Sequence, residues 1–415
     1  MKRFATALVA ALLASGAMGV ATPALAQKKA DKAAPAPKPP KLSKPVATAL
    51  GAAQKAQTAN DHATALAQVD IADAVPNKTT EEIYYINLIR LNSAQANNDK
   101  ALSVKALSAM LETGMVPAEN VAKFTRYIGQ IALEQKDYAG ATVQFEKLVQ
   151  MDPADPDNYI GLAELYNSQR QTAKAIEMID KAVVASKAKN APVPEAWYRR
   201  ALGLAYDGKL APQTRTASLN LVRAYPNPVN WRDAIIILQD GYPNLDPQTQ
   251  LDFLRLQAAV GGLNGERDFV EYADTALGRG FPGEAGWALK EGIDKKMLNP
   301  AKPLVAELQK IVNEKVPADK ASLPGLEKEI KGNGKLAIAT GDAYFGYGDF
   351  AKAAELYKIA IGNANADQPT ANLRLGAALA RTGDKAGAMA ALQAVKGGAR
   401  EALAQYWMAW LDGKA

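Results

Sequence analysis

The sequence predicts an all-α chain: an α-solenoid of stacked antiparallel helix pairs wound as a right-handed superhelix. Three observations carry that expectation. From residue 46 onward the text is Ala-rich, with apolar residues at helical spacing and almost no two-residue alternation of the kind that marks strands. Gly, Asn and Pro punctuate it at short intervals, as short helices joined by turns require. One stretch also repeats itself at a step of 34 residues.

The repeat is clearest around DYAGATVQFEKLVQMDP, residues 137–153. Shifted by 34, Ala141 falls on Ala175, Phe145 on Ile179 and Leu148 on Ala182. The helix before it shifts in the same way, Thr125 onto Tyr159, Ile128 onto Leu162, Gly129 onto Ala163 and Ala132 onto Tyr166. Each unit is a helix pair joined by a short polar turn. Gly129 with Ala141, and Ala163 with Ala175, are small where the two helices cross, so the backbones approach closely. Phe145 or Ile179 fills the space one turn later, and Pro153 stops the second helix because it cannot extend the hydrogen-bond ladder.

This 34-residue helix-turn-helix resembles the tetratricopeptide repeat family. The resemblance returns in residues 335–397 at a step of 35, with Gly341 on Gly376, Tyr344 on Leu379, Ala353 on Ala388, Tyr357 on Leu392 and Ala360 on Val395. Weaker units are legible around Ala49, Ala53, Ala56, Ala65, Val69 and Ala72, and from Tyr84 to Met115. A degenerate one runs through Trp197, Ala201, Leu204, Ala217 and Leu221. The expected organisation is a signal peptide at 1–26, a Pro/Ala/Lys-rich linker at 27–45, repeats at 46–229, degenerate helical repeats at 230–332, and C-terminal repeats with a capping helix at 333–415. Each pair can bury its apolar face only against its neighbours, which is why pairs stack into a solenoid.

The first 26 residues place Lys2 and Arg3 before an apolar run and end in Ala24-Leu25-Ala26, a small-residue cleavage site. They read as a secretory signal, with an uncleaved anchor as the alternative, and imply a soluble periplasmic protein. The chain has no cysteine, which excludes disulfides, thiolate metal sites, cysteine nucleophiles and the lipid-modified cysteine of a lipoprotein. Its one histidine, His62, removes multi-histidine metal sites and most Ser-His-Asp arrangements.

The net charge of +6 belongs to the leader and linker. Residues 1–26 hold Lys2 and Arg3, residues 27–45 hold six lysines against Asp31, and the remaining residues sum to −1. A nearly neutral folded body gives no support for nucleic-acid binding. The linker, as polyproline II, would reach roughly 60 Å. It reads as a spacer or as a contact to anionic lipid or wall polymer.

Other motifs have ordinary readings. MDPADPDN, residues 151–158, lacks the central glycine and closing glutamate of a calcium loop and reads as an inter-repeat turn. GGLNG at 261–265 and KGNGK at 331–335 follow no strand and read as turns. Trp407 and Trp410 form a stripe at helical spacing, either closing the last apolar face or docking a partner. No catalytic constellation is visible, and no cofactor or metal is expected; the irregular 230–330 region is the one place an enzyme could hide.

The resemblance implies a non-catalytic scaffold that binds a partner protein or peptide along a concave face lined by the first helix of each pair. Carried over position by position, that face comprises Lys123, Arg126, Gln130, Glu134, Ile160, Glu164 and Asn167, and near the C-terminus Lys335, Ile338, Asp342, Phe345, Leu373 and Arg381. The lysine and asparagine set with which some members clamp a terminal carboxylate is not reproduced. The expected partner is another envelope protein. The alternative is an assembly factor for cell wall or outer membrane that uses the basic linker.

Overall fold

The computed structural model describes residues 40–413, so the signal peptide and most of the linker lie outside the described residues. Within them the chain is entirely α-helical, with twenty helices and no strand. These helices fall into two compact units, residues 40–191 and residues 192–413. In each, consecutive helices pack as antiparallel pairs, and the pairs stack as an α-solenoid requires.

The first unit holds four pairs: α1 (Lys44–Thr58) with α2 (His62–Asp73), α3 (Thr80–Ala96) with α4 (Lys100–Glu112), α5 (Ala118–Glu134) with α6 (Tyr138–Met151), and α7 (Pro156–Ser168) with α8 (Thr172–Ala188). The helix expected to follow the linker starts slightly earlier than residue 46, because Pro45 suits the first turn, where its missing N–H costs nothing.

One turn design recurs between the helices of a pair. A residue with positive φ ends the first helix: Asn60, Asn98, Lys136 and Arg170. In the first three hairpins the next residue is an aspartate, Asp61, Asp99 or Asp137, whose carboxylate accepts from the backbone N–H three residues on. Such a cap satisfies a donor the helix leaves open. The first three turns are 38 residues apart and the fourth follows after 34.

Packing follows the small-against-large rule read from the sequence. Ala141, Ala175 and Ala182 are fully buried, and Phe145, Ile179 and Leu148 are buried beside them. A Cβ added at Gly129 would lie 3.1 Å from the Cβ of Gln144 and 3.4 Å from the Phe145 ring. The next pair also approaches Phe145, since a Cβ at Gly161 would lie 2.7 Å from its ring. The same sixteen-residue pairing of small with large joins Gly341 to Tyr357 and Gly376 to Leu392 in the second unit.

Buried polar groups fasten the first unit from pair to pair. The Gln57 side chain donates to the carbonyl of Ile89 and the hydroxyl of Ser93, tying α1 to α3. Arg90, nearly fully buried, pairs with Asp73 at 2.7 Å. Glu82 completes a capping box with Thr79 and accepts from the backbone N–H groups of Ser43 at 2.7 Å and Thr79 at 2.8 Å. Those hydrogen bonds hold its carboxyl down to about 2. A depressed acid contributes stability that is complete above its unfolded value and disappears as pH falls through the folded one. Glu82→Gln should therefore lower the stability of the chain by about 1–3 kcal/mol at pH 7. Urea titrations at pH 7 and pH 2.5 check this: the gap between wild type and variant narrows at the lower pH.

The second unit contains α9 (Glu195–Asp207), α10 (Ala211–Ala224), α11 (Pro228–Asp240), α12 (Pro247–Ala259), α13 (Gly265–Gly278), α14 (Pro282–Asp294), α15 (Pro303–Glu329), α16 (Gly334–Gly346), α17 (Phe350–Ile361), α18 (Gln368–Thr382), α19 (Lys385–Gln393) and α20 (Gly398–Asp412). Residues 229 and 230, where the sequence reading divides the repeats, both lie inside α11. The region without a clean register is helical throughout, including the 27-residue α15, which carries Pro317 and Pro324 in its interior.

This unit folds back on itself. The C-terminal helix α20 packs against α10 and α12 as well as against α18 and α19, and α16 packs against α14. Trp407 is buried, Trp410 is half-buried and meets it edge to face at 5.4 Å, and the Tyr406 hydroxyl donates to Ser218 Oγ at 3.0 Å. Trp407 therefore closes an apolar face, as the plainer of the two sequence readings has it.

Candidate interaction surface

The residues carried over from the family pattern keep one register. Gln130, Glu164 and Asp342 each lie six residues before the positive-φ residue of their hairpin, namely Lys136, Arg170 and Gly348. Arg126, Ile160 and Ile338 lie ten before it. They consequently share one side of the first helix of each pair, and the two units treat that side differently.

In the first unit it is open. Lys123, Gln130, Glu134 and Glu164 are exposed, and Arg126, Ile160 and Asn167 are half-exposed. Two of the charges act within the fold. Arg126 reaches Asp155 and Asn158, both at 2.9 Å, and so locks α5 to the start of α7. Glu134 pairs with Lys100 at 2.5 Å. The MDPADPDN turn supports this geometry: Asp155 caps α7 ahead of Pro156, and the Asn158 amide donates to the carbonyls of Leu148 and Asp152.

In the second unit the same side is covered by the chain itself. Lys335 and Arg381 remain exposed, Arg381 stacking on the Phe350 ring at 4.5 Å. Ile338, Asp342, Phe345 and Leu373 are buried. The expectation that these four line a groove for a partner is corrected on that point, because α12 and α14 fill the space in front of them. Arg255 of α12 lies over the Phe345 ring at 4.7 Å, and a Cβ at Gly346 would collide with the backbone nitrogen of Glu284 at 2.9 Å.

A buried ionic cluster accompanies that contact. Arg255 forms a two-pronged pair with Glu284 at 2.7 and 2.8 Å and reaches Asp342 at 3.1 Å. Arg374 bridges Asp342 at 2.5 Å and Asp252 at 2.9 Å, and Arg400 adds a bond to Asp252 at 3.0 Å. The hydroxyls of Tyr357 and Tyr272 donate to Asp342 and Glu284. Three carboxylates thus face three guanidiniums. Burial pushes the Asp252 carboxyl up, yet the surrounding Arg374, Arg400 and Arg255 outweigh it and hold the group below its usual range. Burial, together with Asp342, pushes the Tyr357 phenol well above its ordinary value. Both tyrosines stay protonated as donors. The arrangement binds helices to one another, with Arg400 alone of its six charged members partly exposed. Sequence reasoning missed it because Asp342 and Arg374 occupy positions that are solvent-facing in an open stack.

Two open clefts also lie in the second unit, of about 490 and 670 Å³. In the first, Asp246 and Asp367 already cap α12 and α18, and Arg400 is held by Asp252. The second runs between α14 and α15 over Gly283 and Gly286. Among the described residues no helix is long and apolar enough to cross a membrane.

Residues 132–187 and residues 338–405 each match the tetratricopeptide repeat. Both segments are tetratricopeptide repeats. No curated protein matches this repeat protein by sequence. Among solved structures it is similar to "Structure of Naa15/Naa10 bound to HypK-THB", at 16% identity over 85% of this chain and 63% of that one, with a TM-score of 0.30. It is similar also to "Crystal Structure of P58(IPK) TPR Domain at 2.5 A", at 14% identity over 88% of this chain and 98% of that one, with a TM-score of 0.24. The chain thus spans 63% of the length of the first of these. Tetratricopeptide repeats in general hold other proteins, and this chain is a protein-interaction scaffold in that general sense.

Proposed function

We propose that the protein is a non-catalytic scaffold of the bacterial cell envelope that holds a partner polypeptide on the first-helix face of its first unit. The observation that carries the reading is the contrast between the units. Matching helix faces are open on α5 and α7 but filled by the chain's own helices in front of α16 and α18. The envelope assignment rests on the leader, with its two basic residues, apolar run and A-x-A end.

The test is capture of partners from an envelope extract by the mature chain. A paired Ile160→Asp, Glu164→Lys variant should reduce capture at least tenfold. A variant of the opposite, second-helix surface, Val143→Asp with Val184→Asp, should leave it unchanged; both valines are strongly exposed. The reverse pattern would place binding on the other surface. Export is checked separately, by finding the processed protein in the periplasmic fraction with Gln27 at its N-terminus.

A further inference from the structure

The cleft between α14 and α15 combines an apolar floor with unspent donors on its rim. It encloses about 670 Å³, within the range of small-molecule sites. On one wall α14 brings Gly286, Leu289 and Ile293, and on the other α15 brings Val312 and Val316. Residues three and four apart share one side of a helix, so each wall is a continuous stripe. Leu289 and Val312 are buried, and Ile293 and Val316 are half-buried. From Gly283 to Ile293 the trough follows α14 for about 15 Å, at the helical rise per residue.

The rim is polar and one-signed. Gln309, Asn313 and Lys320 line it from α15, and none of the three side chains forms a hydrogen bond or ion pair among the described residues. The Lys320 ammonium stands over the Tyr347 ring at 4.9 Å. That ring closes the Gly283 end of the trough, where it would collide with a Cβ. The neighbouring charges are already spent: Asp319 accepts from the Tyr347 hydroxyl at 2.5 Å, and Lys290 pairs with Asp294. No carboxylate is among the residues lining the cleft. An apolar trough with one unpaired ammonium at one end fits a ligand of the inverse layout, an apolar chain that ends in a single negative charge.

We propose that this cleft binds a long-chain fatty acid, with the carboxylate held by Lys320 and Asn313 and the chain laid past Gly286 toward Ile293. The site lies in the second unit and is independent of the partner face proposed above. One unpaired ammonium matches the single charge of a carboxylate, whereas a phosphate monoester brings about −1.5 to −2. A hydrocarbon chain also suits the floor better than a polypeptide, whose main-chain N–H and C=O groups would lose water over Leu289 and Val312 without gaining partners.

The experiment titrates the full chain calorimetrically with dodecanoate below its micelle concentration, and in parallel with hexanoate, dodecyl phosphate and dodecyltrimethylammonium. Wild type should take up one dodecanoate per chain. Hexanoate should bind at least tenfold more weakly because it covers less of the floor, and the cation of equal chain length should also bind at least tenfold more weakly. Lys320→Gln should weaken dodecanoate by about fivefold, the scale of an exposed ion pair, without weakening the cation. Lys320 is exposed and holds no ion pair, so this variant should keep the wild-type melting midpoint. Val316→Asp should abolish saturable uptake; if it also lowers the melting midpoint, the Lys320 comparison carries the test. No saturable dodecanoate binding by wild type, unchanged affinity in Lys320→Gln, hexanoate or the cation bound as tightly as dodecanoate, or dodecyl phosphate bound more tightly would each overturn the proposal. So would sedimentation showing a wild-type dimer that Val316→Asp dissociates, which would give the cleft to a second copy of the chain.

Discussion

Asp342→Ala should destabilise the second unit by about 3–5 kcal/mol, because it leaves Arg255 and Arg374 as buried charges short of a partner. Asp342 accepts from both guanidiniums and from the Tyr357 hydroxyl, and all four groups are nearly or fully buried. One nitrogen of Arg374 already lacks a hydrogen-bond partner among the described residues, so the cluster has no spare acceptor to offer. Tryptophan fluorescence reads this unit selectively, since Trp197, Trp231, Trp287, Trp407 and Trp410 all lie within it. The expected result is a fluorescence transition at clearly lower urea. Asp342→Asn separates charge from shape: it keeps the volume and two hydrogen-bonding atoms but leaves three arginines against two carboxylates, and should fall between wild type and Asp342→Ala. If Asp342→Ala unfolds at the wild-type urea concentration, the cluster does not hold these helices together.

The helix pairs were legible because their determinants are local. Small residues at the crossing, a large one sixteen positions away and a proline after the second helix all fall within one repeat, and the structure buries Ala141, Phe145, Ala175 and Ile179 accordingly. The N-terminal pairs read more faintly because Asn60, Asn98 and Lys136 are spaced by 38 residues, so a comparison at 34 slides their faces out of phase. The helix α15 escaped for a different reason: Pro317 and Pro324 are stop signals in sequence, and only the helix around them overrides the preference. The exposure of the candidate face was only half legible. Periodicity places Gln130, Glu164 and Asp342 on one helix side, but whether that side meets solvent depends on contacts far away in the chain. Arg374 meets Asp252 across 122 residues, and Tyr406 meets Ser218 across 188. No repeat pattern encodes such a return, and it turned an expected groove into an interior.

Phe145→Ala should cost about 3–5 kcal/mol, the range for deleting a buried aromatic ring whose site cannot collapse. Collapse is blocked here by the residues that let the ring in. Phe145 is 1% exposed and sits between Gly129 of its own pair and Gly161 of the next, neither of which has a side chain to swing into the void. Backbone movement would have to fill it, and α5 and α7 are held in place by the Arg126 bonds to Asp155 and Asn158. Peptide-resolved hydrogen exchange is the direct measurement: amides of α5, α6 and α7 should exchange faster in the variant at neutral pH. The partner substitution gives the sign check. Gly161→Ala alone places a methyl 2.7 Å from the ring and should cost about 1–3 kcal/mol by overpacking. With Phe145→Leu in the same chain that methyl has room, so the double variant should be more stable than the sum of the two single losses allows. Strict additivity would mean that the ring and the glycine do not share one packing site, and the crossing geometry assigned to this pair of repeats would have to be redrawn.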